Sequence, residues 1–202
     1  MRTVETFRVR PMEPRDLPRV VEIEDASFSD PWSAETFRSL VGRSDVLGRV
    51  LEVGSVEGDG AHRRRRAHRW HRPERRRPPH HGDGPQPGNR SGTARPDDPG
   101  VGSDRDRKVV GHGVLWLLGV DGELANLAVA PDARGRGRGG RFLDALMAEA
   151  KERGVRTLFL EVRDSNEPAL ALYRSRGFME IHRRRGYYRR PVEDARVLMT
   201  EL

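Results

Sequence analysis

One segment in the middle of the chain contains almost nothing that a folded core could use. Residues 54–107 hold thirteen Arg, five His, seven Pro and nine Gly but only six apolar side chains. So few apolar groups cannot offset the conformational entropy lost on ordering, and the composition therefore predicts a disordered insert. The segment sets thirteen arginines against eight acidic residues, and so carries +5 of the chain's net charge of +7. The basic character of the chain belongs mainly to this insert.

The two flanks together have 148 residues, a length typical of one domain. Both flanks contain the alternating apolar pattern of strands and the 3.6-residue pattern of helices, which indicates a mixed α/β order. Asp121-Gly122, between two strand patterns, predicts a hairpin turn. Helices are predicted from Pro14, from Ser33, over 138–153 and over 167–176, and strands over 6–10, 49–53, 108–120, 123–130, 155–162, 178–181, 186–189 and 195–200.

The composition also excludes several kinds of site. With no cysteine, the chain cannot form disulfides, thiolate nucleophiles or Cys-ligated metal centres. No apolar run approaches the roughly 18 residues that span a bilayer, and the charged N-terminus lacks the apolar core of a signal peptide. We therefore expect a soluble cytoplasmic protein that does not associate with membranes. The histidines of the insert are irregularly spaced and do not predict a metal site.

The strongest chemical signal lies in residues 126–140, where a strand pattern leads into a turn rich in Gly and Arg and then into a helix. Glycines in such a turn let several backbone N–H groups converge on an anion, and the helix N-terminus adds its positive end. The segment therefore suits a pyrophosphate group. It matches neither the dinucleotide fingerprint nor the Gly-Lys-Ser/Thr of a triphosphate loop. A flexible charged loop is the alternative interpretation.

Two further residues stand out as candidates for proton transfer. Glu161 alternates with apolar neighbours on a predicted central strand. A buried carboxylate in such a place must be paired with a cation or hydrogen-bond donor, or must serve a chemical role. The alternative for Glu161 is an ion pair with Arg163 or a position at the sheet edge. Tyr173 lies beside Leu172 on a short predicted helix, so core packing is the alternative to catalysis.

These motifs together resemble the Gcn5-related N-acetyltransferase (GNAT) family, whose acetyl-CoA signature Arg/Gln-x-x-Gly-x-Gly/Ala is matched by Arg134-x-x-Gly137-x-Gly139. Within that family the chain resembles the RimI-type ribosomal-protein-alanine N-acetyltransferases over about 1–53 and 108–202. The blocks that carry this resemblance are Pro31-Trp32-Ser33, Asn126-Leu-Ala-Val, Leu160-Glu-Val-Arg, Ser165-Asn166, Leu172-Tyr173 with Gly177-Phe178, Tyr187-Tyr188 and Glu193-Asp194-Ala195. The resemblance implies one mixed α/β (α+β) domain with the GNAT fold, in which about four helices flank a mixed central sheet of about six to seven strands.

The resemblance also implies roles for individual residues. Glu161 matches the family's proton acceptor and Tyr173 its proton donor, while backbone N–H groups of 127–129 would polarise the thioester carbonyl. The aromatic residues Trp32, Phe37, Tyr187 and Tyr188 are predicted to line the acceptor peptide, with plain packing as the alternative for each. No metal is needed for this chemistry. Contacts with the co-substrate acetyl-CoA are predicted from Leu127, Ala128, Val129, Arg134, Gly135, Arg136, Gly137, Arg138, Gly139, Gly140 and Asn166. The chain departs from the family at Arg138, usually apolar, and at Gly140, usually basic.

The function implied is transfer of acetyl from acetyl-CoA to the α-amine of a protein N-terminus, with alanine of a ribosomal protein as the expected partner. An α-amine has a reference pKa of about 7.7–8.0 against about 10.4 for lysine, so a modest base suffices. The alternatives are a GNAT acetyltransferase for another amine, namely another protein N-terminus, a lysine or a small molecule, or a catalytically idle binding protein tethered to RNA or the ribosome. Nucleic acid could be bound only by the insert, through its arginine runs 63–66 and 75–77 and Trp70. The Arg, Pro, Gly and His content of the insert is also compatible with a shifted reading frame.

Overall fold

The computed structural model describes residues 3–57 and 107–202, and these two segments build one mixed sheet of seven strands. The strand order across the sheet is β1-β2-β3-β4-β5-β7-β6. Only β4 and β5 run parallel, and every other neighbouring pair is antiparallel. The strands are β1 Thr3–Pro11, β2 Val46–Glu57, β3 Lys108–Leu118, β4 Asp121–Val129, β5 Thr157–Arg163, β6 Met179–Arg189 and β7 Val192–Glu201.

Four α-helices flank the sheet within the described ranges, as predicted. They are α1 Leu17–Asp25, α2 Ala34–Leu40, α3 Arg138–Glu152 and α4 Glu167–Arg174. A 3₁₀ turn at Pro14–Asp16 leads into α1, and Ser33 caps α2 by accepting the Thr36 N–H at 3.1 Å. No helix in the described part of the chain is long and apolar enough to cross a membrane.

The core has a layer on each face of the sheet. On one face, Val50 and Val114 pack with fully buried residues of α1 and α2, which include Val20 and Phe37. On the other, Leu47, Leu51 and Leu115 pack against the apolar stripe of α3, which is formed by Phe142, Leu143 and Leu146. Because strand residues alternate between the faces, neighbours along one strand serve different layers. The two faces are called the α1/α2 face and the α3/α4 face below.

The predicted hairpin turn at Asp121-Gly122 is wrong by two residues. Leu118 pairs with Asp121, so the turn is formed by Gly119 and Val120, and Gly119 takes the left-handed φ of +75°. Gly122 instead lies buried within β4, where a Cβ atom would lie 3.1 Å from the Val155 side chain. Position 122 therefore favours glycine because β4 packs closely against Val155 there, and not because of a turn.

Several strands are longer than predicted, and two of the differing boundaries concern the last strands and the insert. The segments 178–181 and 186–189 are parts of the single strand β6, whose pairing with β7 shifts register twice, the second time around Gly186 at φ +56°. Residues 54–57, predicted as the start of the insert, continue β2 and pair with β1. The remaining insert, 58–106, with its histidines, arginine runs and Trp70, lies outside the described residues.

Candidate active site

A fork in the sheet separates the two parallel strands. The pairing of β4 with β5 ends at Leu124 and Leu160, after which β4 pairs only with β3 and β5 only with β7. A register shift between β3 and β4 leaves Ala125 as an extra residue next to this point, and such a bulge bends its strand. The fork therefore opens a cleft between the carboxyl-terminal halves of the two strands.

Backbone donors of β4 face this cleft. The Ala130 N–H donates to the Val110 carbonyl on β3 at 2.8 Å, so by alternation the Ala128 N–H also faces β3. The N–H groups of Leu127 and Val129 then face away from β3, toward the cleft. These are two of the three residues predicted to polarise a thioester carbonyl, and they are placed where a ligand could reach them.

The glycine turn follows the carboxyl-terminal end of β4 and leads into α3. Gly135 and Gly137 take left-handed φ angles of +78° and +69°, and α3 begins directly after Gly137. No side chain caps the start of this fifteen-residue helix. Its first N–H groups are therefore available to an anion, together with the positive end of the helix dipole. A Cβ on Gly139 would lie 3.8 Å from Val129, which places the turn against the β4 side of the fork.

The three arginines of this turn have different environments. Arg134 is exposed, and it donates to the Val129 carbonyl at 2.8 Å and to the Ser27 hydroxyl at 2.9 Å. Arg136 is also exposed. Arg138 is buried, with its guanidinium donating to the Ala133 carbonyl at 2.9 Å and ion-paired with Glu5. The Arg138 side chain thus fastens the turn to β1, so the predicted contact of this residue with acetyl-CoA would fall to its backbone N–H.

Gly140 leaves room for a cation from another element. A Cβ there would lie 3.0 Å from the Cζ atom of Arg176, whose guanidinium is also paired with Asp144 at 2.6 Å. Position 140, where the family usually has a basic residue, is therefore covered by the guanidinium that follows α4. Asn166 caps α4, and its side-chain oxygen accepts the Ala169 N–H at 3.2 Å.

Glu161 lies on β5, on the α1/α2 face of the sheet, because its neighbours Leu160 and Val162 belong to the opposite core layer. One oxygen, Oε2, accepts the hydroxyl hydrogen of Tyr187 at 2.7 Å, and the other is ion-paired with Arg184. The proposed alternative partner, Arg163, instead pairs with Glu193 at 3.1 Å. Glu161 is thus held by β6 and not by its neighbour in sequence.

Tyr173 lies on α4, buried beneath Phe178 with a ring separation of 5.5 Å. Burial raises the pKa of its phenol well above the ordinary value, and the nearby Tyr188 adds to that rise. Burial likewise raises the pKa of Tyr188 to about 12, with smaller contributions that include Tyr187 and Glu161. Tyr173 is therefore protonated at neutral pH, as a proton donor must be.

The predicted acceptor walls consist of Trp32 with Phe37 and of Tyr187 with Tyr188. The two tyrosine rings meet edge to face at 5.1 Å, and Ser29 donates to the Arg190 carbonyl at 2.6 Å, joining the α1–α2 connection to the β6–β7 turn. Trp32 is half-buried and packs on Phe37 at 5.6 Å. Phe37 has no exposed surface, so it supports Trp32 from behind and does not itself face the slot.

A buried polar cluster next to the fork was not predicted. Glu24 on α1 accepts the Asn126 amide at 3.0 Å and the Trp32 N–H at 3.0 Å, and lies 2.9 Å from His112 Nε2. Since Nε2 also lies 3.2 Å from the Asn126 Oδ1 atom, it faces two acceptors and carries the proton. The cluster fixes α1 against β3 and β4 one residue before Leu127. Its sequence signals are a glutamate beside the apolar Ile23 and Asn126, which begins one of the family-like blocks but was given no role there.

Comparison with known proteins gives consistent matches. The family model of the acetyltransferase (GNAT) family matches residues 64–178. The [ribosomal protein bS18]-alanine N-acetyltransferase of Escherichia coli (strain K12) is 49% identical over 89 residues, which is 44% of this chain and 59% of that protein. A putative enzyme of the same description from Bacillus subtilis (strain 168) is 33% identical over 95 residues, 47% of this chain and 63% of that protein. These matches span less than two thirds of both relatives.

Solved structures share the architecture over nearly the whole chain. The crystal structure of the ribosomal-protein-S18-alanine N-acetyltransferase from Escherichia coli superposes with a TM-score of 0.65 and 27% identity, covering 97% of this chain and 94% of that one. A chain of the NatC complex bound to Gag peptide and CoA gives 0.60 at 17% identity, with 97% and 98% covered. The second likeness concerns the fold alone.

Proposed function

Because the chain belongs to the GNAT acetyltransferase family, we propose that it transfers the acetyl group of acetyl-CoA to the α-amine of a protein N-terminus. The N-terminal alanine of ribosomal protein bS18 is the proposed acceptor, since relatives that match part of this chain are named for it. The observation that carries the proposal is the fork. It brings free N–H groups of β4, the glycine turn and Glu161 to the two sides of one cleft.

The residues around the fork fit acetyl-CoA, which when bound supplies an activated acetyl thioester. The uncapped start of α3 and the left-handed Gly135 and Gly137 offer backbone donors to its phosphates. Arg134 and Arg136 add positive charge at the exposed edge of the turn. The N–H groups of Leu127 and Val129 are suited to stabilise negative charge that develops on the thioester oxygen.

Proton transfer is assigned to Glu161 on β5 and Tyr173 on α4. Glu161 accepts a proton from the acceptor ammonium group, either directly or through a water, so that the nitrogen can attack. Tyr173 donates its phenolic proton to the departing thiolate, a role supported by its burial and by the raised pKa of its phenol. Tyr187 donates to Glu161 and its ring meets that of Tyr188, and with Trp32 these two tyrosines form the proposed walls of the peptide slot.

Product mapping tests this function. The protein is incubated with acetyl-CoA and a short peptide bearing the N-terminal residues of bS18, and the acetylated atom is located by mass spectrometry. We expect modification of the α-nitrogen only. A second peptide with a blocked α-amine and a free lysine should remain unmodified. Acetylation of that lysine, or of neither peptide, would contradict the proposed function.

A further inference from the structure

The candidate base Glu161 already has a cation bound to it. The guanidinium of Arg184, from β6, pairs with Glu161 and lies 4.3 Å from the centre of the Tyr187 ring. Tyr187 also donates to Glu161 at 2.7 Å, so the ring and the carboxylate form two fixed sides of one site. A carboxylate together with an aromatic face is the environment that favours an organic cation.

A second carboxylate, Glu123, completes the surroundings of this cation. Glu123 is paired in register with Phe159, so it lies on the same face of the sheet as Glu161, just before the strands diverge. Burial, and then the negative charge of Glu161, raise the pKa of Glu123. Its own charge in turn helps to raise the pKa of Arg184. Within the described residues Glu123 makes no hydrogen bond or close ion pair, so its carboxylate is available to a second cation.

A protonated α-amine would be stabilised by the same surroundings as the guanidinium of Arg184. It needs to contact Glu161 in order to lose a proton, and it is stabilised by the same two carboxylates and the same ring. We propose that Arg184 occupies the place of the acceptor's α-ammonium group and competes with it for Glu161. The inference rests on the proposed acetylation of an α-amine at this site, and it assigns Arg184 and Glu123 as residues that set acceptor affinity.

The surroundings of Arg184 permit its displacement. Its side chain is 50% exposed, and an ion pair with so exposed a partner contributes little to stability. The nearby Arg163 is held more firmly than Arg184, because it donates to Ser29, Arg190 and Glu193 and so joins several elements. The Arg184 side chain can therefore move into solvent while the contacts of Arg163 stay in place.

The test is peptide binding measured by calorimetry. The probes are a short peptide with the N-terminal residues of bS18 and its Nα-acetylated form. Arg184→Ala should bind the free-amine peptide about three- to fivefold more tightly than the parent protein does, and the acetylated peptide equally well. The matched control is Arg183→Ala, since Arg183 is 43% exposed and pairs with Asp164 at 3.2 Å, away from Glu161. This control should leave both affinities unchanged.

A second pair of variants probes the site from the acidic side. Glu123→Gln should weaken binding of the free-amine peptide about threefold or more, whereas Asp121→Asn, two residues earlier on the same strand, should not. Arg184→Gln provides a polar replacement and should repeat the gain of Arg184→Ala. Unchanged or weaker binding by both Arg184 variants would overturn the proposal and leave Arg184 as a residue that positions Glu161. Because binding needs no acetyl transfer, failure of the proposed activity would be seen separately.

Discussion

At the scale of single residues, the candidate base Glu161 is held by partners from β6 that lie 23 and 26 positions away along the chain. Glu161→Gln keeps the shape of the side chain but removes its ability to accept a proton. We expect kcat at neutral pH to fall about 10²-fold while acetyl-CoA still binds. The loss should shrink as pH rises, because the acceptor amine is then already neutral.

Initial rates of thiol release, measured from about pH 6.5 to 9.5, check this expectation. Glu201→Gln, an exposed residue at the end of β7, serves as the matched control and should retain the parent profile. A near-parental rate for Glu161→Gln at neutral pH would mean that Glu161 is structural. Loss of acetyl-CoA binding would mean that it supports the fold around the cleft.

The glycine turn allows a comparison in which backbone strain is matched. Gly137 and Gly42 have φ angles of +69° and +79°, and a Cβ at either position would meet no atom within 4 Å. Replacing either by Val should therefore cost a similar stability of about 1–3 kcal/mol, through the left-handed backbone alone. Only Gly137→Val should raise the Kd for acetyl-CoA, as measured by calorimetry. Equal Kd values in the two variants would remove the turn from the cofactor site.

At the scale of elements, Asp16 joins the start of α1 to the first two strands. It accepts from Arg10 at 2.6 and 2.8 Å and from the Glu13 N–H at 2.8 Å, while Arg10 also binds Glu52 at 2.7 Å. Burial by itself would raise the pKa of Asp16, but these donors outweigh it and lower that pKa below the ordinary value. The carboxylate therefore stabilises the fold above its unfolded-state pKa of about 3.9, and this stabilisation is lost as pH falls through the lower folded-state value.

Asp16→Asn should accordingly lower the free energy of unfolding at pH 7 by about 2 kcal/mol. The difference from the parent protein should diminish as pH falls below about 4, because the unfolded parent then takes up a proton that the folded parent still resists. Urea unfolding at several pH values measures both effects. Asp25→Asn, at the exposed end of α1, should change little at any pH. A deficit for Asp16→Asn that does not shrink at all between pH 7 and pH 2 would contradict the assigned role of the charge.

The buried cluster makes a second prediction about elements. Asn126→Ala removes the amide that donates to Glu24 and leaves a carboxylate, enclosed to 1% exposure, with fewer partners. Stability should fall by about 1–3 kcal/mol, since a buried polar group then lacks a hydrogen bond. Because the next residue is Leu127, acetyl transfer should fall as well. Urea unfolding and steady-state kinetics test the two effects, and a variant with unchanged stability would show that the cluster does not hold α1 to the sheet.

At the scale of the whole molecule, the pairing of Val53 with Lys108 joins the two flanks into one sheet. A Cβ on Gly54 would lie 3.1 Å from the Arg107 side chain, so the strands are adjacent where the insert departs. Replacing 58–106 by a Gly/Ser linker of about four residues should leave the free energy of unfolding within about 1 kcal/mol of the parent. Thermal unfolding and peptide acetylation check this, and a variant that fails to fold would make the insert part of the domain.

Several elements could be predicted from the sequence because short-range interactions decide them. The period of α3, the Ser33 cap and the glycine turn follow from residues within a few positions of one another. The family resemblance relied on the same kind of local motif, and it correctly indicated the GNAT fold. The insert was predicted from composition alone, and most of it lies outside the described residues.

Contacts between distant parts of the chain could not be predicted in this way. That Glu161 binds Arg184 and not Arg163, and that Phe37 is enclosed, depends on which strands and helices meet in space. The turn at Gly119 and the single strand β6 likewise depend on register, which is set by pairing along the whole strand. Periodicity therefore determined which residues alternate on each strand, while only packing of the sheet decided which charges meet at the fork.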